Sequence, residues 1–242
     1  SCGFILEEGL PMETLKAVVT SMAETARAAG IAIVTGDTKV VQRGAADKLF
    51  INTAGMGAIP ANIHWGAQML TAGDVLLVSG TLGDHGATIL NLREQLGLDG
   101  ELVSDCAVLT PLIQTLRDIP GVKALRDATR GGVNAVVHEF AAACGCGIEL
   151  SEAALPVKPA VRGVCELLGL DALNFANEGK LVIAVERNAA EQVLAALHSH
   201  PLGKDAALIG EVVERKGVRL AGLYGVKRTL DLPHAEPLPR IC

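Results

Sequence analysis

The sequence predicts an α/β protein, in the broad sense that includes α+β, and three observations carry that prediction. Half of the 242 residues are hydrophobic yet only 2% are aromatic, so the core must be built from Ala, Val, Leu and Ile. Such a core suits β-branched strands beneath Ala- and Leu-rich helices. Short apolar runs of strand length alternate with longer stretches of helical spacing. The chain also holds 27 glycines, enough for several tight turns and backbone-lined binding loops. The length accommodates one large domain or two smaller ones.

Taken in order, Cys2 to Leu6 is an apolar strand, and a chain opening on Ser1-Cys2-Gly3-Phe4 is expected to have a further segment upstream. Leu10-Pro11-Met12-Glu13 starts a helix, with Pro at an early position and an acid in the first turn. Leu15, Val18, Val19, Met22 and Ala26 keep its spacing, and Gly30 stops it. Ile31 to Val34 is expected to be a short strand, and Thr35 to Val41 a polar turn between β-prone runs. Leu49 to Thr53 is another strand. A domain boundary is expected between Pro60 and Gly73, dividing residues 1–62 from residues 63–230. Beyond it, Asp74 to Val78 is a buried strand, and Ser79 to Gly86 a glycine-rich turn leading into a helix through Ile89, Leu90, Leu92 and Leu96. A helix is expected from about Cys106 to Leu116, and Asp127 to Gly132 opens another through Val133, Val136, Val137 and Phe140. Leu181 to Val185 is a strand, Ala189 to His198 a helix, and Ile209 to Val213 with Val218 to Leu220 close the sheet. Residues 231–242 hold Pro233, Pro237 and Pro239, which bias a tail toward extended conformations.

Charge and hydropathy narrow the function classes. The net charge is −6 and the basic residues are scattered, which argues against a nucleic-acid surface. The longest uncharged run, from Lys48 to Asp74, contains Asn52, Pro60, Asn62, His64 and Gln68, so it is no apolar membrane helix. A soluble cytosolic protein is expected. The six cysteines carry no secretory signal and are expected to be reduced. Cys144-Gly145-Cys146 lacks the second ligand pair of a structural zinc site, and buried thiols are the better reading.

Five motifs suggest chemistry. Asp37 and Lys39, two apart, could present a metal-holding acid and an anion-binding ammonium to a nucleoside triphosphate, although a surface ion pair would look the same. Gly83-Asp84-His85-Gly86 and Asp127-Ala128-Thr129-Arg130-Gly131-Gly132 each precede a helix, where backbone N–H groups could meet phosphate or merely cap the turn. Neither has the spacing of a Walker or dinucleotide loop. Within Asn177-Glu178-Gly179-Lys180, Glu178 could act as a general base, or the segment could be an ordinary polar turn. The chain ends Leu238-Pro239-Arg240-Ile241-Cys242, a terminal thiol on a tail that is free to visit a distant pocket. A prenylation box is excluded, since the cysteine would have to be fourth from the end.

Together, Gly36-Asp37-Thr38-Lys39-Val40, the turns at 83–86 and 127–132, Asn177-Glu178-Gly179 and the terminal Pro239-Arg240-Ile241-Cys242 resemble the HypE family of [NiFe] hydrogenase maturation proteins, over essentially the whole chain. The terminal tetrapeptide is the most specific element. The glycine–Asp turns are shared with the wider aminoimidazole ribonucleotide synthetase-like superfamily. The resemblance implies a two-domain fold: a dimerising N-terminal sheet, a C-terminal α/β sandwich with ATP between them, and an extended tail. It also implies an upstream Asp- and Gly-rich segment.

The activity that the resemblance implies is ATP-dependent dehydration of a carbamoyl group on Cys242 to a cyano group. The carbamoyltransferase HypF would load the cysteine, and the HypC–HypD complex would receive the product. Cys242, Lys39 and Glu178 would be catalytic and Asp37 would hold Mg²⁺. Asp37, Thr38, Asp84, His85, Gly86, Asp127, Arg130, Gly131 and Gly132 would bind the nucleotide. Two alternatives stay open: an ATP-dependent enzyme of the superfamily acting on a small molecule, and a non-catalytic module whose tail docks to a partner.

Overall fold

The computed structural model describes residues 1–98 and 102–232. They form two compact units, Ser1–Asn62 and a second that begins at Ile63.

The first unit is a three-stranded sheet with one helix. Strand β1 (Cys2–Glu7) lies between β2 (Gly36–Val41), parallel to it, and β3 (Leu49–Thr53), antiparallel to it. The helix α1 (Met12–Ala28) starts behind Pro11, with Glu13 in its first turn and Arg27 in its last, both favourable to the helix dipole. Two expectations fail here. Ile31 to Val34 is not a strand, and the stretch expected as a turn, Gly36 to Val41, is one. Thr38, Val40 and Val41 are β-branched, and the parallel register Gly3 with Asp37 and Ile5 with Lys39 satisfies the backbone of both chains.

The second unit is built on a seven-stranded sheet among the described residues, ordered β10-β9-β6-β8-β4-β7-β5. The strands are β4 (Val75–Val78), β5 (Val122–Asp127), β6 (Gly147–Ser151), β7 (Leu181–Val185), β8 (Ala207–Val213), β9 (Gly217–Ala221) and β10 (Lys227–Thr229). Every pairing is antiparallel except β6 with β9. The interior strands β4 and β7 are apolar at every position because both faces are covered. Val75, Leu77, Ile183 and Val185 pack with Leu112 and Leu116 of α3 (Thr110–Leu116) and Val193 and Leu197 of α6 (Ala190–His198). Leu76, Val78, Val182 and Ala184 pack with Val133, Val136, Val137 and Phe140 of α4 (Gly132–Cys144). A satellite cluster joins α2 (Asp84–Glu94) to α5 (Pro159–Leu168) through Leu90, Val161, Val164 and Phe175.

Helix α3 starts at Thr110 rather than near Cys106. Pro111 is favoured at a first helical turn and disfavours helix ahead of it, so 102–109 runs as irregular chain. Among the described residues, no helix is long and apolar enough to cross a membrane.

Candidate active site

Three of the five motifs meet at one end of the second unit's sheet, and strand direction is the cause. Strands β4 and β5 both run antiparallel to β7, with Val78 opposite Val182 and Asp127 opposite Leu181. The chain leaving β4 enters Gly83–Gly86, the chain leaving β5 enters Asp127–Gly132, and the chain entering β7 is Asn177–Lys180. All three turns therefore lie side by side.

Asn177 is the bolt between them. Its side chain is 1% exposed, its Oδ1 accepts from Gly83 N at 2.8 Å, and its Nδ2 donates to Ala128 O at 3.1 Å and Phe175 O at 2.9 Å. Its own backbone N–H donates to Ala128 O at 3.0 Å. Gly86 N adds a bond to Ala176 O at 3.0 Å. Each of the two helices is entered through a left-handed glycine, Gly83 at φ +82 before α2 and Gly131 at φ +72 before α4. Gly132 is also left-handed, at φ +62, and a Cβ there would stand 2.4 Å from Leu173 O. Such helix starts leave backbone N–H groups for an anionic group.

The charged side chains at these turns are held individually. Asp84 is buried, accepting from Thr81 Oγ1 at 2.5 Å and pairing with Lys158 Nζ at 3.0 Å. His85 is buried with Nδ1 2.8 Å from Ser104 Oγ and 3.9 Å from Cys106 Sγ. Asp127 accepts from Thr129 Oγ1 at 2.7 Å and pairs with Arg126 at 3.2 Å. Arg126 also pairs with Glu139, and that hydrogen bond raises its pKa. Glu178 is half-buried, and its backbone N–H donates to Asp105 Oδ1 at 3.0 Å.

Asp37, Thr38 and Lys39 belong to the first unit, on β2 rather than on a turn, and are exposed. Their spacing on a strand puts Asp37 and Lys39 on the same side of the sheet. Asp37 Oδ1 accepts from Thr38 N at 2.8 Å, and both residues line a groove of about 600 Å³ together with Phe4, Val19, Met22 and Ile33. Among the described residues no three or more His, Cys, Asp or Glu side chains gather as a metal cage. Mg²⁺ needs no such cage, because it is held by one or two carboxylates with phosphates and water, so Asp37 fits that role. Cys242 and the rest of the terminal motif lie outside the described residues.

Sequence reasoning missed Asp105, Lys180 and Asn177's bridging role. Lys180 Nζ meets Asp105 Oδ2 at 3.1 Å, outside hydrogen-bond direction, with side chains 11% and 4% exposed. The partners are 75 positions apart, so only the fold brings them together.

Residues 1–59 match the family of AIR synthase related proteins through its N-terminal domain, and residues 71–222 match that family's C-terminal domain. Over its full 242 residues the chain is 99% identical to carbamoyl dehydratase HypE of Escherichia coli (strain K12), of which it covers 72%. The chain belongs to the HypE carbamoyl dehydratase family. Two solved HypE structures extend the comparison. One, in complex with ATP, is 43% identical with a TM-score of 0.95, over 100% of this chain and 74% of that one. The other, a HypE–HypF complex, is 46% identical with a TM-score of 0.93, over 96% of this chain and 76% of that one.

Proposed function

We propose that this chain dehydrates a carbamoyl group on Cys242 to a thiocyanate at the expense of ATP, supplying the cyano ligand of [NiFe] hydrogenase iron. The observation that supports it most is the convergence of two glycine-opened helix starts with the Glu178 loop at one sheet end. Such helix starts suit phosphate, and a carboxylate beside them suits proton removal.

Water is a poor leaving group from a carboxamide, so its oxygen is first converted to a phosphate ester. The carboxamide oxygen attacks the γ-phosphorus, ADP departs, and the nitrogen gives up its first N–H proton to solvent, leaving an O-phosphorylated imidate. Glu178 takes the remaining N–H proton, the C–O bond breaks and inorganic phosphate leaves, so that carbon and nitrogen become triply bonded on sulfur. Lys39 would steady the charge on the transferring phosphoryl group. Asp37 would hold Mg²⁺, which neutralises phosphate charge when bound. Asp84, His85, Thr38, Asp127, Arg130 and Gly131 are assigned to nucleotide binding through backbone N–H groups or side chains, and Gly86 and Gly132, whose N–H groups are bonded to Ala176 O and Thr129 O, through the close backbone approach that a missing side chain permits.

A solved relative bound to HypF supports a HypF-like carbamoyltransferase as the proposed donor. The proposed recipient is a HypC–HypD complex, as the family resemblance implies. Homodimerisation through the first unit's sheet fits the exposure of Ile5, Val40 and Phe50. The cytoplasm, where thiols stay reduced, is the proposed setting.

Intact-mass measurement of the C-terminal peptide tests the reading. After incubation with the carbamoyltransferase and carbamoyl phosphate, Cys242 should carry a carbamoyl group that loses one water only when ATP is added. Cys242→Ala should abolish the modification, and Glu178→Gln should accumulate the carbamoyl form. Normal delivery of cyanide by Cys242→Ala protein would end the reading.

A further inference from the structure

We infer that Asp105 is a positioning residue for Glu178, and that the irregular segment around it exists to fix the base and His85 together. The inference rests on Glu178 being the proton acceptor. A single residue meets three consecutive residues of the Glu178 loop. Asp105 Oδ1 accepts the Glu178 N–H at 3.0 Å, Oδ2 faces Lys180 Nζ at 3.1 Å, and the Asp105 carbonyl lies where a Cβ on Gly179 would approach to 1.9 Å. Only glycine at 179 lets the two chains come this close. On either side of Asp105 the same segment faces the α2 turn: Ser104 Oγ is 2.8 Å and Cys106 Sγ 3.9 Å from His85 Nδ1, and Cys106 N donates to Ser104 Oγ at 3.3 Å. Residues 104–106 thus join two of the three site turns, while Asn177 joins all three.

Stability is a poor explanation for the pair. Burying a carboxylate and an ammonium costs much of what their attraction returns, and apolar replacements of similar size are often at least as stable. Here one carboxylate oxygen sits off hydrogen-bond direction from its ammonium, while the other is spent on the backbone of the proposed base. That division suits placement. General-base catalysis is sensitive to position, and a displacement of about 1 Å can cost a hundredfold in rate. Charged or titratable groups on the elements around it are Lys180 in the same loop, Cys106 on the segment, Asp84 and His85 at the α2 turn with Lys158 of the α5 start paired to Asp84, and Asp127 at the end of β5, opposite Leu181.

The test compares Asp105→Ala with Asp105→Asn in the full-length protein carbamoylated on its tail. Both variants lose the charge facing Lys180, but only alanine loses the acceptor for the Glu178 N–H. Single-turnover dehydration should fall about tenfold or more in Asp105→Ala with the KM for ATP unchanged, and stay within about twofold in Asp105→Asn. Amide exchange at Glu178 should quicken in the alanine variant alone. In a Glu178→Gln background, Asp105→Ala should add no further loss. Equal loss in the two variants, unchanged exchange, or an additive loss would overturn the role. A Glu178→Gln protein at full rate removes the base itself and the role of Asp105 with it, and that outcome is read from a different variant. If the lone Lys180 ammonium prevents folding, the comparison is repeated in a Lys180→Met background.

Discussion

The two sheets obey opposite rules of burial. In the second unit, β4 and β7 are buried at all positions, with helices on both faces. In the first, among residues 1–62, Cys2 alone has a fully buried side chain, and α1 has none. Ile5, Val40, Phe50 and Ile51 are exposed there although they lie in paired strands. A three-stranded sheet with one helix and so little burial lacks the core that an independent domain needs. The second unit therefore supplies its own stability, while the first presents apolar surface that asks for a covering partner, here the proposed second copy.

The largest expected effect tests that contrast. Leu76→Ala removes a fully buried side chain from the interior strand β4 and should destabilise the second unit by about 2–5 kcal/mol in denaturant unfolding. Phe50→Asp should leave that transition in place and instead convert a dimer to monomer in sedimentation. A Phe50→Asp protein that stays dimeric would move the proposed interface off this sheet.

Much of this division was legible beforehand. Uninterrupted apolar runs such as Val75 to Val78 and Leu181 to Val185 name interior strands, because only burial on both faces tolerates them. The glycine–Asp turns were legible because left-handed backbone needs glycine. Strands β5 and β6 were not, since Lys123, Arg126 and Glu149 interrupt the apolar pattern and only cross-strand pairing fixes them. Helix α5 was hidden by Pro159 and Gly163, residues that suggest turns unless the proline occupies the first turn. At the site, Glu178 stood out by type and spacing. Its support did not: Asp105 reaches it across 73 positions and Asn177 reaches Gly83 across 94, distances that no local pattern encodes.

Glycine substitutions sharpen the comparison at intermediate cost. Gly179→Ala would push a Cβ to 1.9 Å from the Asp105 carbonyl, a backbone atom that cannot swing away. Overpacking of this kind should cost about 1–3 kcal/mol. Gly163, inside α5 with no atom within 4 Å of an added Cβ, provides the contrast. Gly163→Ala should stabilise by about 0.5–1 kcal/mol through helix propensity. Thermal unfolding distinguishes the two, and equal shifts would mean that the close approach at Gly179 relaxes freely.

The smallest effect concerns what holds the first unit in place of a core. Glu7, at the end of β1, accepts from Gly44 N at 2.5 Å and Lys48 N at 2.9 Å, tying the β2–β3 connection to the sheet. These backbone donors, with Arg43 and Lys48 nearby, lower its pKa from the ordinary 4.5. A carboxylate whose folded pKa is depressed contributes stability above its unfolded pKa. That contribution is lost as pH falls through the folded value. Protonation should therefore release this connection only below pH 4.5, while the second unit has no part in the event. Amide shifts of Gly44 and Lys48 followed by NMR from neutral pH downward should titrate together, with a midpoint below 4.5. Glu7→Gln should abolish the titration and leave both amides in their low-pH positions. A midpoint at or above the ordinary value would mean that the carboxylate is not held by the connection. The first unit would then depend on its covering partner for local order as well as for burial.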